Sequence, residues 1–264
     1  MTCKSPFSLE GRVVLVTGAG QGVGRAIATA MAEGGARAVV VNDFFQERAE
    51  AVAAELSARG LEAMAAQADV TSPTSVDAMM AAVRARYGAL HVLVNNAGNA
   101  GPGLIPAELP KFWEMDPADW QPWLATNLIG VMNCCRPAAP LLMQHDQGRI
   151  ITVISDAARV GEPGYAVYSG AKAGAAGFMR AMAKEMGRYM TTVNCISLAS
   201  IETPGLAERN SDPERVKKKL ARYVIRRQGK PSDVAGAAVF LASEAGAWIT
   251  GQTLSVNGGY AFNL

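Results

Sequence analysis

The sequence predicts an α/β fold, a doubly wound parallel β-sheet with helices on both faces, and three observations carry that prediction. Apolar runs of strand length alternate with longer segments of helical period along the 264 residues. The strand-length runs are continuously apolar, which is how strands covered on both faces read. A glycine cluster follows the first run directly, and strands joined through helices run parallel.

The elements follow in order. Arg12–Thr17 (RVVLVT) is the first strand and Gly22–Glu33 the first helix, with Ile27, Ala30 and Met31 on one face. Arg37–Asn42 (RAVVVN) is a second buried strand, and Gln46–Arg59 an alanine-rich helix ended by Gly60. Glu62–Ala68 is a weaker strand. Pro73–Tyr87 is a helix whose proline sits in the first turn, where a missing N–H costs little. Leu90–Val94 is the fourth strand. Ala118–Gln144 reads as one long helix, interrupted or bent near Pro137 and Pro140. Arg149–Ile154 (strand), Tyr165–Tyr189 (helix), Thr191–Ile196 (strand), Ser232–Ser243 (helix) and Thr253–Val256 (strand) complete the pattern. With no linker, repeat or composition break, residues 1–264 read as a single domain.

Bulk properties narrow the function classes. Half the residues are hydrophobic, 18% are charged and the net charge is +2, so nothing global points to nucleic acid or another polyanion. The longest apolar runs, such as Ala38–Val41 and Ile150–Ile154, are too short to cross a bilayer. Met1 to Gly11 carries no apolar signal core. Cys3, Cys134, Cys135 and Cys195 match no zinc spacing and read as buried or incidental thiols of a cytoplasmic protein. His91 and His145 read as surface residues without a role, and no metal constellation emerges.

The turn after the first strand is Thr17-Gly18-Ala19-Gly20-Gln21-Gly22-Val23-Gly24. Glycines allow a tight turn and let a diphosphate approach the main chain, while the helix behind them offers amides and a favourable dipole. Between a strand and a helix, this string is a dinucleotide cradle of the Rossmann type. The second strand ends at Asn42-Asp43. Asp43 there can accept hydrogen bonds from ribose hydroxyls and repel a 2′-phosphate, and it can also cap the next helix. No basic residue precedes Gly22, where Gln21 stands, and Arg48 falls in the first turn of that helix. These residues favour NAD over NADP.

Further motifs follow in a fixed order: Asp69-Val70, Asn95-Asn96-Ala97-Gly98, Asn127, Ser155, Tyr168-x-x-x-Lys172 and Thr203-Pro204. On these residues the chain resembles the short-chain dehydrogenases/reductases over essentially its whole length. The resemblance implies that Asp69 and Val70 flank the adenine and that Asn96, Ala97 and Gly98 steady the fourth strand beside the cofactor. It also implies that Ile201 and Thr203 meet the nicotinamide carboxamide. Homotetramers through the helices around Asn127 and Tyr168 and through the C-terminal strand are implied too.

Tyr168 and Lys172, four apart on a predicted helix, share one face. A free phenol has a pKa of about 10. A neighbouring ammonium and the charge of an oxidised nicotinamide are expected to lower it, so that Tyr168 can exchange a proton with an alcohol or carbonyl oxygen. By resemblance, Lys172 also bonds the nicotinamide ribose, Ser155 orients the substrate oxygen and Asn127 holds a relay water. The expected activity is an NAD-dependent interconversion of secondary alcohol and ketone.

Several features bear on substrate. Leu198-Ala199 stands where the family usually has Pro-Gly, in the loop over the nicotinamide. Leu104 to Met115 reads as an enlarged apolar substrate wall or as a subunit contact, with Phe112, Trp113, Trp120 and Trp123 nearby. Glu208 to Lys230 holds nine basic and three acidic residues, a local +6. It is either a lid that clamps phosphates or a solvated helix face. Ser155-Asp156-Ala157-Ala158-Arg159-Val160-Gly161 resembles 2-hydroxycyclohexanecarboxyl-CoA dehydrogenases, and places Arg159 as a further cation near the substrate mouth. The expected partner is thus a small cyclic or acyl-linked hydroxy compound, with a CoA thioester as one form. The alternatives are a 3-oxoacyl carrier-protein reductase and a cofactor-sensing protein without catalysis.

Overall fold

The computed structural model describes residues 5–99, 109–203 and 213–262. Seven strands form one sheet in the order β3-β2-β1-β4-β5-β6-β7, and every neighbouring pair is parallel. They are β1 (Val13–Val16), β2 (Ala38–Asp43), β3 (Ala63–Gln67), β4 (Val92–Asn95), β5 (Arg149–Ser155), β6 (Thr192–Leu198) and β7 (Thr253–Val256). The continuously apolar runs are buried throughout, as in β1 and β2, whereas edge strand β7 keeps partial exposure. The described residues thus form the doubly wound sheet that the alternation predicts.

Two cores lie on opposite faces of the sheet. Helices α1 (Gly22–Glu33) and α2 (Gln46–Ala58) cover one face, burying Ile27 and Met31 with Val14, Val39 and Val94. The other face carries α3 (Pro73–Tyr87) and α5 (Gly130–Leu142), with α4 (Gln121–Leu124) between them in the chain. Helix α3 is sharply bounded: Ser72 Oγ accepts from the Ser75 amide at 3.3 Å, Pro73 opens the first turn, and Gly88 closes it at φ 73°. Short α6 (Ala157–Val160) and long α7 (Ala166–Met186) follow β5, then α8 (Pro213–Leu220) and α9 (Pro231–Ala242). No described helix is long and apolar enough to cross a membrane.

Two expectations need correction. The segment 118–144 is not one helix bent at its prolines. It starts as a 3-10 turn (Pro117–Trp120), passes through α4 and widens into a π turn at Ala125–Ile129, and α5 then runs through Pro137 and Pro140. The irregularity sits where Asn127 turns inward, since its side-chain amide takes the Trp123 carbonyl at 2.8 Å.

His91 and His145 are half-buried rather than surface residues. Their rings stack at 4.4 Å, and His91 Nδ1 accepts from the Val13 amide at 3.0 Å. Burial, then His145 and nearby arginines, push His91 down to about 4. The neighbouring Arg12 and Arg149 are buried at the amino ends of β1 and β5.

Candidate active site

The strand order reverses its winding between β1 and β4, and a crevice of about 700 Å³ opens beyond the carboxyl ends of the strands there. Its floor is the glycine turn, tied down by β4. Asn96 Nδ2 donates to the carbonyls of Thr17 (2.9 Å) and Gly18 (3.0 Å). Thr17 Oγ1 accepts from the amides of Asn96 (3.0 Å) and Ala97 (3.1 Å). A Cβ on Gly24 would lie 2.2 Å from the Gly18 oxygen and 2.4 Å from Asn96 Nδ2, so the helix closes on the turn only without a side chain. The α1 N-terminus receives no side-chain cap from Gln21, which leaves its first amides for an anion.

Asp43 is 6% exposed and lines the crevice. Its Oδ2 accepts from the Gly20 amide at 3.0 Å and its Oδ1 from the Phe45 amide at 3.1 Å, so it braces both the glycine turn and the start of α2. Arg48, in the first turn of α2, lines the same crevice and lays its guanidinium 4.3 Å over the Phe45 ring. Asp69 Oδ1 accepts from the Thr71 amide and hydroxyl, both at 2.8 Å. Gly18, Gln21, Gly22, Val23, Gly24, Asp43, Asp69, Val70, Asn96, Ala97, Gly98, Ser155, Tyr168, Lys172, Ile201 and Thr203 all line this one crevice. An open glycine turn, uncapped amides and a carboxylate at the end of β2 fit a dinucleotide.

Asn127 is the exception, lying wholly buried behind the wall. Its Nδ2 donates to the carbonyls of Asn99 (2.7 Å) and Trp123 (2.8 Å), while its Oδ1 is buried with no partner among the described residues. A Cβ on Gly98 would be 3.2 Å from Asn127 Oδ1 and 3.4 Å from Lys172 Nζ, so both polar ends lie close beside that glycine.

Ser155 ends β5, and Tyr168 and Lys172 stand one turn apart on α7. Lys172 is 3% exposed; its Nζ donates to the Val153 carbonyl at 2.8 Å and lies 6.0 Å from the centre of the Tyr168 ring. Burial holds Lys172 down at about 8. Tyr168 keeps some exposure to the crevice, yet burial pushes its phenol up to about 12, and a hydrogen bond with Ser155 is the opposing influence. Tyr165 adds to the effect of burial, so the Ser155 hydrogen bond is the one lowering influence on the phenol.

Sequence reasoning missed the aromatic packing around Tyr168. Trp123 is 6% exposed and meets Tyr168 edge-on at 5.5 Å, and Tyr165 meets it at 6.0 Å. The i−4 spacing of Trp123 from Asn127 was the available signal. Of the other aromatics, Phe112 stacks on Trp120 at 5.4 Å and Trp113 is exposed. The expected wall at Leu104 to Met115 lies outside the described residues up to position 108, as do Pro204 and residues 208–212 of the basic segment. The side chains of Arg215 and Lys219 lie outside them too. Within the rest of that segment, Arg227 forms a two-point pair with Asp233, and Arg222 bonds Tyr260 and approaches Glu162 at 3.6 Å. Lys217, Lys218 and Arg226 are exposed.

Arg159, expected as a further cation near the substrate mouth, does not line the crevice and is engaged within the protein. Its guanidinium donates to Asp156 (2.9 Å), Ser255 (2.7 Å) and the Phe262 carbonyl (2.9 Å). The Leu198-Ala199 loop is held without Pro-Gly: the Ser200 amide donates to the Tyr223 hydroxyl at 3.0 Å, and Ile201 bridges to Gly229.

Comparison with known proteins places these features in context. Residues 18–261 match the family model described as enoyl-(acyl carrier protein) reductase. The chain is 39% identical over 253 residues to a 3-oxoacyl-[acyl-carrier-protein] reductase of Synechocystis, covering 96% of this chain and 98% of that one. It is 36% identical to the (2S)-[(R)-hydroxy(phenyl)methyl]succinyl-CoA dehydrogenase subunit BbsD of Thauera aromatica, again over 96% and 98%. Among solved structures, a 7α-hydroxysteroid dehydrogenase complexed with NADH and 7-oxo glycochenodeoxycholic acid superposes with a TM-score of 0.88 at 33% identity, covering 98% of both chains.

Proposed function

Because the chain belongs to the short-chain dehydrogenase/reductase family, enzymes that act on CH–OH groups with a nicotinamide dinucleotide, we propose that it is an NAD-dependent dehydrogenase of an acyl-linked secondary alcohol. The convergence of Ser155, Tyr168 and Lys172 on the one crevice that also holds the glycine turn and Asp43 carries the reading. When bound, the dinucleotide supplies a carbon that takes or gives hydride and, in its oxidised form, a positive ring.

The protein's own residues handle the proton. Ser155 and Tyr168 bind the substrate oxygen together, and Tyr168 takes the alcohol proton or returns it to the carbonyl. A phenol pushed up to about 12 holds its proton firmly, which suits donation; removal of a proton needs positive charge brought close. Lys172, held down at about 8 by burial, gives up a proton more readily than a free lysine and bonds the ribose. Asn127 Oδ1, buried without a partner among the described residues and close to Lys172 Nζ beside Gly98, extends the proton path through a water.

Asp43 at the end of β2 is the support for NAD over NADP, because a carboxylate there accepts from two ribose hydroxyls and repels a phosphate. Exposed Lys217, Lys218 and Arg226 offer charge to the phosphates of an acyl-CoA. The second reading, a 3-oxoacyl carrier-protein reductase, is favoured by the Synechocystis relative. Self-association through the C-terminal strand is supported by the part-exposed edge strand β7 and by exposed Phe262 (73%) beyond it. Buried free Cys134, Cys135 and Cys195 suit a cytoplasmic setting.

The test is oxidation of NADH and of NADPH with a cyclic β-keto acid offered as the CoA thioester, the carrier-protein thioester and the free acid. Preference for NADH and the CoA thioester supports the reading; preference for NADPH and the carrier-protein thioester moves the chain to the second. Tyr168→Phe is expected to lower kcat by about 10²–10⁴-fold while leaving NADH binding unchanged. Turnover within about threefold of the parent would refute the role of Tyr168.

A further inference from the structure

Asp156 follows Ser155 directly, is 1% exposed, and spends its carboxylate on three separate elements. Oδ1 accepts from Ser197 Oγ of β6 at 2.6 Å and from Arg159 of α6 at 2.9 Å, and Oδ2 accepts from Asn257 Nδ2, just past β7, at 2.6 Å. Its backbone amide donates to the Leu198 carbonyl at 2.8 Å. Arg159 carries the connection onward to Ser255 and to the Phe262 carbonyl, and Asn257 Nδ2 also donates to the Ala261 carbonyl at 2.7 Å. An ion pair between buried Asp156 and partly exposed Arg159 thus joins the carboxyl ends of three strands to the C-terminal segment, one residue from Ser155. A charge this deeply buried is tolerated only when fully bonded, and its removal leaves several partners unsatisfied at once.

We infer that Asp156 and Arg159 are positioning residues: they fasten Ser155 and the segment 257–262 into one mechanical unit, so that the C-terminal segment helps to set the hydroxyl that orients the substrate oxygen. Ser155 is held from one side by the β5–β6 ladder and by a hydrogen bond with Tyr168, and from the other by the turn that follows it. Its Oγ accepts from the Ala157 amide at 3.2 Å, within the same short turn that Asp156 and Arg159 brace. The unit extends toward the substrate side as well, since Tyr260 donates to Glu162 at 2.8 Å and bonds Arg222 beyond α8. Neither Asp156 nor Arg159 lines the cofactor crevice, so the pair acts through Ser155 and leaves the dinucleotide untouched. The inference rests on the assignment of Ser155 to the reacting oxygen.

The test compares Asp156→Asn, Arg159→Ala and the double change Asp156→Asn with Asn257→Asp on the full chain. Asp156→Asn sets two amide nitrogens against each other; the double change restores a donor opposite an acceptor. The readouts are NADH affinity by fluorescence, kcat and KM with acetoacetyl-CoA, and hydrogen exchange over residues 153–161 and 255–262. The expected result is NADH affinity within about twofold, kcat lowered about 10–100-fold in each single change, and partial recovery in the double change. Protection should fall in both peptides together. Loosening confined to 255–262 with kcat unchanged overturns the inference, as does an exchange pattern identical to the parent. Should the parent reduce no ketone, the functional reading fails by itself, and the joint or separate loss of protection still decides whether the unit exists.

Discussion

Gly24 offers the sharpest perturbation. A methyl group there begins 2.2 Å from the Gly18 oxygen and 2.4 Å from Asn96 Nδ2, and neither is the loose end of a flexible chain. The Gly18 carbonyl already accepts from Asn96, so the two cannot part without breaking that bond or the one to Thr17. Restoring ordinary contact requires a displacement of about 1 Å in the turn, an overpacking that costs roughly 1–3 kcal/mol. A lost hydrogen bond adds about 1 kcal/mol. At about 2–4 °C per kcal/mol for a chain of this size, Gly24→Ala should melt about 4–16 °C below the parent. NADH should bind at least about tenfold more weakly, because the displaced turn is the one that must meet the pyrophosphate. Differential scanning fluorimetry and NADH fluorescence titration read the two effects. Gly35→Ala is the control: its φ of +86° strains any side chain, but nothing lies within 4 Å and the position lies outside the crevice. Stability alone should fall there. If Gly24→Ala bound NADH as the parent does, or if Gly35→Ala lost binding equally, the assignment of the turn as the cofactor cradle would be refuted.

Two further predictions concern charge. Asp43→Ala should weaken NADH binding about tenfold and narrow the preference over NADPH, since Arg48 then faces the crevice without a neighbouring carboxylate; parallel titrations with both dinucleotides check it, and an unchanged ratio sinks the role of Asp43. His91 should make the fold acid-sensitive. Its folded value of about 4 lies below the ordinary 6.5, so the neutral form stabilises the fold fully above pH 6.5, and that contribution is lost as pH falls toward 4. Discounted for partial exposure, the loss is about 1–2 kcal/mol, because a protonated His91 can no longer accept from the Val13 amide. Melting temperatures at pH 7 and pH 4.5 for the parent and His91→Gln measure it; an equal fall in both removes His91 as the cause.

The strands were legible because burial on both faces leaves a signature in local composition alone, and only their ends shift, by one or two residues. The glycine turn, Asp43 and the Tyr168–Lys172 pair were legible for a similar reason: each is a short-range pattern next to a predicted element. What stayed hidden depends on distant partners. Arg159 finds Ser255 and Phe262 at separations of 96 and 103 residues, and no window of sequence distinguishes that from an exposed cation. His91 meets His145 across the amino ends of two strands. The proline rule put the irregularity of the long helix near residue 137, yet both prolines lie inside α5 and the wide turn lies upstream, where Asn127 engages Trp123.

That wide turn also fixes a phase relation. A regular α-helix advances about 100° per residue, and a π turn absorbs roughly one extra residue without lengthening the rod. The α4 side, carrying Pro122 and Trp123 against the crevice and Tyr168, is therefore rotated relative to α5, which packs Val131, Cys134 and Cys135 into the core. Removing one residue between 125 and 129 would give a smoother helix but swing one set away from its partner by about a quarter turn. Chain length over these five residues is consequently held by two surfaces at once, so that insertions and deletions here should be tolerated far less than substitutions.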